Sequence, residues 1–351
     1  MSEPTYDAIL VVSFGGPLGM EDVVPFLQNV TRGRNIPPQR LAEVGEHYAQ
    51  FGGVSPHNRQ IQDLIDALQA RLDQAGPHLP VYWGNRNWKP MLEDTLRQMT
   101  DDGIRRAIAF VAAGYSSYSS CRQYREDIER ARQAAGPAAP AVDKIRVFYN
   151  HPLFIETMQD RVREALERLP AGKRSSARLI FTAHSLPAAM AANCRYEHQL
   201  QEAARLIHAA FAENPWSLVY QSRSGPPQVP WLEPDVCDYL ENQRAEGETD
   251  VVLVPVGFIC DHLEVLFDLD TEAAELCERI GLNMVRAGTA GTHPKFVEMV
   301  RELICERIEK RPHRPSVGND GPSHDVCPVD CCLPPRPPVR SAAGSAPVSS
   351  S

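Results

Sequence analysis

DVVLVPVGFICDHLEVLFDLD, residues 250–270, passes directly from an apolar run to a cluster of acid. Its first part, DVVLVPV, is rich in β-branched residues and shows no polar alternation, as a strand does when both faces are covered. Such a strand belongs in a parallel sheet with helices on both sides, so this stretch decides the fold class. The residues after the strand bear on function. Asp261, His262, Glu264, Asp268 and Asp270 come in quick succession with no Lys or Arg among them. One interpretation is a helix start, with Asp261 as N-cap and Glu264 as its capping-box partner, since acids in a first turn also suit the helix dipole. That explains two residues only. Glu264, Asp268 and Glu272 recur at four-residue spacing, which sets like charges on one helix face, and the next cation is Arg279. An acidic track that handles cations accounts for the whole set.

The same rhythm runs through the chain. Further candidate strands are AILVVS (8–13), VYWGN (81–85), RAIAFVAA (106–113) and IRVFY (145–149) in the first half. ARLIFTA (177–183), SLVYQS (217–222) and NMVRAG (283–288) join DVVLVPV in the second. Amphipathic stretches such as RQIQDLIDALQARL and YEHQLQEAARLIHAAF lie between them. Four strands per half predict an α/β protein with two similar, doubly wound, Rossmann-like domains. The border falls near Asn150-His151-Pro152, giving domains 1–150 and 151–310. From Arg311 onward, Pro, Ser, Gly and Arg dominate, and residues 311–351 read as a mostly disordered tail.

Composition removes several function classes. The chain has 351 residues, 43% of them hydrophobic, enough for two real cores. A net charge of −9 argues against a nucleic-acid partner, which wants a basic face. No apolar run approaches the ~20 residues of a membrane span. The opening MSEPTYDAILVV lacks a basic, signal-like start, so a cytoplasmic protein is expected. Of nine cysteines, six are scattered singly, as small buried apolar residues usually are. Cys327, Cys331 and Cys332 instead cluster in the tail.

In doubly wound sheets, ligands bind beyond the carboxyl ends of the strands. Four segments reach that edge: SFGGP (13–17), GYSSYSSCRQY (114–124), His184-Ser185-Leu186-Pro187, and the acidic run. Neither GxGxxG nor GxxxxGK[ST] occurs, so nucleotide binding has little support. A neutral imidazole accepts a proton at pH 7, and imidazole with carboxylate suits a borderline metal such as Fe²⁺. His184 and Glu264 follow separate strands of one sheet and could flank one cleft. Without HExxH or paired CxxC, the pattern suggests a metal held in passing rather than a structural zinc.

SFGGP, RGR (32–34), FGGVSP (51–56), GNRNWKP (84–90), FTAHSLP (181–187), QSRSGPPQVPWLEPDV (221–236) and FICDHLEVLFDLD (258–270) stand in this order. Together they resemble the ferrochelatases over residues 6 to 310. The 221–236 segment and the YSSCRQY loop are most similar to actinobacterial-type enzymes that metallate coproporphyrin III. The resemblance implies a lyase of haem biosynthesis that inserts Fe²⁺ into coproporphyrin III and releases two pyrrole protons. It implies that His184 accepts a pyrrole proton or ligates the metal, with Glu264 as its counterpart on the opposite face of the macrocycle. Asp268 and Glu272 would continue as the cation and proton track. Ser55 and Tyr124 fall on substrate-contacting positions, and Arg32 and Arg34 are further anchors for propionates. Phe14 stands where many Gram-positive relatives carry Tyr; it cannot ligate a metal and would only stack on the ring. Trp88 and Trp231 are expected to be core rather than substrate walls. The family resemblance also implies a [2Fe–2S] cluster on Cys327, Cys331, Cys332 and one internal cysteine, Cys121 or, second, Cys194. Transient contact with neighbouring haem-pathway enzymes is a further implication. Two alternatives stay open: a protoporphyrin IX ferrochelatase, and a non-catalytic tetrapyrrole or metal carrier on the same scaffold.

Overall fold

The computed structural model describes residues 6–33, 36–225 and 228–334. The first half runs β1 (Ala8–Ser13), α1 (Met20–Val30), α2 (Pro38–Gln50), α3 (His57–Ala75), β2 (Val81–Asn85), α4 (Leu92–Asp101), β3 (Arg106–Val111), α5 (Gln123–Ala135) and β4 (Ala141–Lys144). The second runs α6 (Pro152–Glu167), β5 (Arg178–His184), α7 (Ala188–Ala191), α8 (Tyr196–His208), β6 (Trp216–Gln221) and α9 (Val236–Ala245). It ends with β7 (Asp250–Val254), α10 (Leu263–Phe267), α11 (Ala274–Ile280), β8 (Asn283–Arg286) and α12 (Pro294–Ile308). All strand pairs are parallel, in the orders β2-β1-β3-β4 and β6-β5-β7-β8. The two sheets therefore share one topology, as the doubled pattern predicts. β7 is buried at every position, which is why it reads as an unbroken apolar run.

Two expectations need correction. The fourth strand is Ala141–Lys144, not IRVFY at 145–149. Its four residues pair with Arg106–Ala109 at the sheet edge, where a polar sequence is tolerated. Residues 145–149 are apolar because the chain, having left the ladder, dives into the core, where Phe148 and Tyr149 are each 1% exposed. Residues 311–334 are not a loose tail: they pack on the body. Arg146, buried and paired with Glu306 at 2.7 Å, also donates to the Pro315 carbonyl at 2.9 Å. Asp320 accepts from Tyr149 and is ion-paired with Arg195 at 2.8 Å. Residues 335–351 lie outside the described set.

The two halves share apolar packing. The step from first to second sheet does fall at α6, where His151 caps and Pro152 opens the helix. Yet one apolar cluster runs from Ile9 and Phe110 of the first half to Phe181 and Val254 of the second. The last helix, α12, crosses back to pack on α3. The division into 1–150 and 151–310 is thus a proposal about topology, with a core continuous across it.

Each sheet reverses strand order between its first and third strands, the switch point where ligands bind. β5 and β7 adjoin there, so the segments after them, HSLP and GFICDHLE, emerge side by side.

Candidate active site

His184 is the last residue of β5, and Glu264 lies in the first turn of α10. His184 Nε2 stands 3.7 Å from Glu264 Oε1, an ion-pair distance longer than a hydrogen bond. The two side chains are 31% and 46% exposed, so the pair faces open space. His184 Nδ1 contacts the Ser185 carbonyl oxygen, which only accepts. Nδ1 therefore carries a proton and Nε2 is the nitrogen left for chemistry. Burial works against a charged ring, but the Glu264 carboxylate, the Ser185 carbonyl and Asp268 outweigh it and lift His184 to about 9. Burial likewise disfavours the charged carboxylate of Glu264, and His184 overcomes this, lowering its pKa.

The geometry overturns the placement of these groups on opposite faces of a macrocycle. A flat ring between them would need a van der Waals contact of roughly 3.5 Å on each side. With 3.7 Å in total, His184 and Glu264 belong to one wall. The capping-box interpretation also fails. The residue at the cap position is His262, and its side chain makes no capping hydrogen bond. Asp261 instead pairs with Arg286 at 3.2 Å and accepts from Thr289 at 3.2 Å. Arg286 reaches Asp270 as well, at 2.6 Å, so a distant strand supplies the cation that residues 258–270 lack. A polar cavity of about 560 Å³ opens beside Asp261 and Arg286, but neither His184 nor Glu264 lines it.

Asp268 opens a π-helical turn, Asp268–Ala273, directly after α10. Such i→i+5 turns recur at functional sites. Burial, Glu264 and Glu272 raise the Asp268 carboxyl to about 7, against Ser222 and His184, which lower it. Gln221, the end of β6, donates to the Glu264 carbonyl at 3.2 Å and to Asp268 at 3.3 Å. Ser222 also donates to Asp268, and does so from the left-handed region at φ 62. A serine held there is strained, and such strain gathers at functional sites. Glu272 is raised too, by burial and by Asp235 and Glu275. The sequence marked the acids but not Gln221 and Ser222, which orient them.

The long 221–236 motif clamps HSLP. Leu232 donates to the Leu186 carbonyl at 2.9 Å, Ser185 donates to the Leu232 carbonyl at 2.8 Å, and Trp231 bridges Pro187. On the first half, Gly15 takes φ +85 and Gly16 lies so close to Ser55 that a Cβ would meet its Cβ at 2.6 Å. Phe14 follows β1, with its ring 6.0 Å from that of His262 and the Arg86 guanidinium 5.8 Å above it.

The other predicted residues are placed less openly. Ser55 is buried, and its hydroxyl lies 3.4 Å from the His57 amide. Tyr124 is buried with the β1–β3 core under Arg86, 4.7 Å from its ring, and burial pushes its phenol up to about 12. Arg86, itself paired with Asp127 at 2.7 Å, is a buried cation that the sequence reading missed. Arg32 is exposed after α1 and held by Asn29. Arg34 lies outside the described residues. Trp88 is core, as expected, and donates to Asp22 at 3.0 Å.

A family model described as Ferrochelatase matches residues 6–308. The chain belongs to the ferrochelatase family. A ferrochelatase of Rhodopirellula baltica is 54% identical over 352 aligned residues, covering 99% of each chain. The coproporphyrin III ferrochelatase of Streptomyces coelicolor is 49% identical, covering 97% of this chain and 96% of its own. That of Mycolicibacterium smegmatis is 50% identical, covering 90% and 94%. Among solved structures, SirB from Bacillus subtilis with Fe³⁺ superposes with a TM-score of 0.56 at 11% identity, over 86% of this chain and 97% of that one. It shares the fold. No helix among the described residues of this ferrochelatase-family chain is long and apolar enough to cross a membrane.

Proposed function

We propose that this chain inserts ferrous iron into coproporphyrin III, forming Fe(II)-coproporphyrin III and releasing two protons, in the cytoplasm. The observation that carries this is the His184–Glu264 pair at the switch point, continued by Asp268 and Glu272. Imidazole and carboxylate suit Fe²⁺, the substrate metal. Each pyrrole N–H must give up its proton as an Fe–N bond forms. Near pH 7 His184 is mostly charged, so the pyrrole proton goes to its neutral minority, and Asp268, raised to about 7, carries protons onward. Neutral His184, with Nδ1 fixed on Ser185, accepts at Nε2. Asp268, poised near 7, can both receive and release a proton, as a relay group must. Gln221 and Ser222 hold its carboxyl in place for that task. Phe14 offers an apolar face to the ring, and the exposed Arg32 is a donor for propionates.

Coproporphyrin III is preferred over protoporphyrin IX because relatives at 49–50% identity carry the coproporphyrin name. Two additional carboxylates, each in a charge-assisted contact of about 1.5–3 kcal/mol, should favour it in kcat/KM by roughly a hundredfold or more. Anaerobic steady-state assays with Fe²⁺ and each porphyrin measure that ratio. A ratio near or below one would make the enzyme a protoporphyrin ferrochelatase, and no turnover with either would make it a carrier.

The same proposal includes a [2Fe–2S] cluster on Cys121, Cys327, Cys331 and Cys332. Four thiolates are the usual ligand set. Supporting it, one ligand atom each of His324, Cys327 and Cys331 lies within 4.8 Å of the others. Cys331 and Cys332 have sulfurs 3.6 Å apart. A hydrogen bond shared with Cys327, with help from Lys144, lowers the buried Cys121 thiol, and the same bond raises that of Cys327, whereas burial raises Cys194. Arg122 donates to the Val329 and Cys331 carbonyls at 2.7 and 3.0 Å, which holds the segment in place. When bound, the cluster would cross-link residues 327–332 to the body. Cys121→Ser should lose the acid-labile sulfide and visible absorption of anaerobically reconstituted protein, and Cys194→Ser should keep both. The reverse result would make Cys194 the internal ligand; colourless wild type would end the idea.

A further inference from the structure

Beside the His184–Glu264 pair, three side chains converge from both halves of the chain. His57 opens α3; it is 1% exposed, and its Nε2 has no hydrogen-bond partner. Cys260, 2% exposed, follows β7, and its sulfur lies 3.2 Å from His57 Nδ1. His262 is partly exposed, with its ring centroid 4.2 Å from that of His57. One potential ligand atom from each residue lies within 4.8 Å of the other two.

We propose that His57, Cys260 and His262 form a second metal site, two imidazoles and one thiolate, for a borderline divalent cation such as Zn²⁺ or Co²⁺. Its donors differ from the oxygen-rich Glu264–Asp268–Glu272 track, so it selects softer metals. Three protein ligands leave a fourth tetrahedral position for water. Metal–ligand bonds of about 2.0–2.3 Å place tetrahedral donors roughly 3.5 Å apart, close to the 3.2 Å that separates Cys260 Sγ from His57 Nδ1. Burial keeps His57 neutral, the form in which an imidazole ligates. Burial and Asp261 raise the Cys260 thiol, so its proton leaves to solvent only as the metal–sulfur bond forms. Phe14 and Phe258, with rings 6.0 and 5.8 Å from His262, shield the site, and the exposed edge of His262 gives access. A metal here joins α3 of the first half to the segment that carries Glu264 in the second. The structure thus assigns a role to two residues, His57 and Cys260, that the metallation chemistry leaves unused.

The test is Co²⁺ binding to full-length protein without porphyrin, after cluster reconstitution has occupied the tail thiols. Equilibrium dialysis counts the bound metal, and difference absorption reports thiolate-to-cobalt charge transfer. Wild type should show the band. Cys260→Ala and His57→Leu should each lose it together with one equivalent of bound metal, with Cys260→Ser as the variant closest in size. Wild type without the band, or variants that bind with wild-type stoichiometry and spectrum, would overturn the proposal. Because no porphyrin is present, that failure would leave the assignment of His184 and Glu264 standing.

Discussion

His184→Ala should lower the turnover number for iron insertion by about 10²–10⁴-fold, the usual effect of removing a general base. The fold should survive the change. The side chain is 31% exposed and makes its contacts at a strand end, so no core cavity opens. Circular dichroism and Tm should stay close to wild type while anaerobic metallation of coproporphyrin III collapses. A variant that keeps most of its turnover would remove His184 from the chemistry and leave the proton path to carboxylates alone.

Glu264→Gln should also lower turnover by about 10²-fold, for a reason the geometry separates from helix stability. Losing a working N-cap interaction destabilises by about 0.5–2 kcal/mol, but α10 has no side-chain cap to lose. What the substitution removes is the charge 3.7 Å from His184 and the head of the acidic track. Stability should move by less than about 1 kcal/mol. Near-wild-type turnover would mean that Glu264 is a surface carboxylate and that the track begins elsewhere.

The sequence made the scaffold legible because parallel strands buried on both faces stand out as apolar runs. DVVLVPV and ARLIFTA located β7 and β5 to within two residues, and with them the switch point. Edge strands carry no such signal: β4 is AVDK, and the apolar IRVFY beside it drew the assignment away. Composition misjudged residues 311–334 because what holds them is long-range: Arg146, Tyr149, Asn150 and Arg195 reach across from elsewhere in the chain. For the proposed site, motif order singled out His184, Glu264 and Asp268, which the fold brings together. It could not show that Arg286, carried by β8, neutralises Asp261 and Asp270. Nor could it show that His184 and Glu264 share a wall, since spacing along a chain carries no distance between strands. Tyr124 illustrates the same limit: its loop reaches the site's edge, yet its ring is buried beneath Arg86.

The central claim is that His184, held protonated by Glu264, must be neutral to take a pyrrole proton. The pH dependence of kcat/KM for coproporphyrin III tests it most directly, since that ratio titrates the free enzyme. Burial opposes the charge on His184 and Glu264 overcomes it, so the folded value of about 9 lies above the ordinary imidazole value of about 6.5. Neutral His184 therefore becomes more abundant as pH rises, and kcat/KM should climb from pH 6 with its midpoint near pH 9. In Glu264→Gln the midpoint should fall toward that of an ordinary imidazole. A profile that is flat or falling between pH 6 and 9, with the same midpoint in both proteins, would contradict the account.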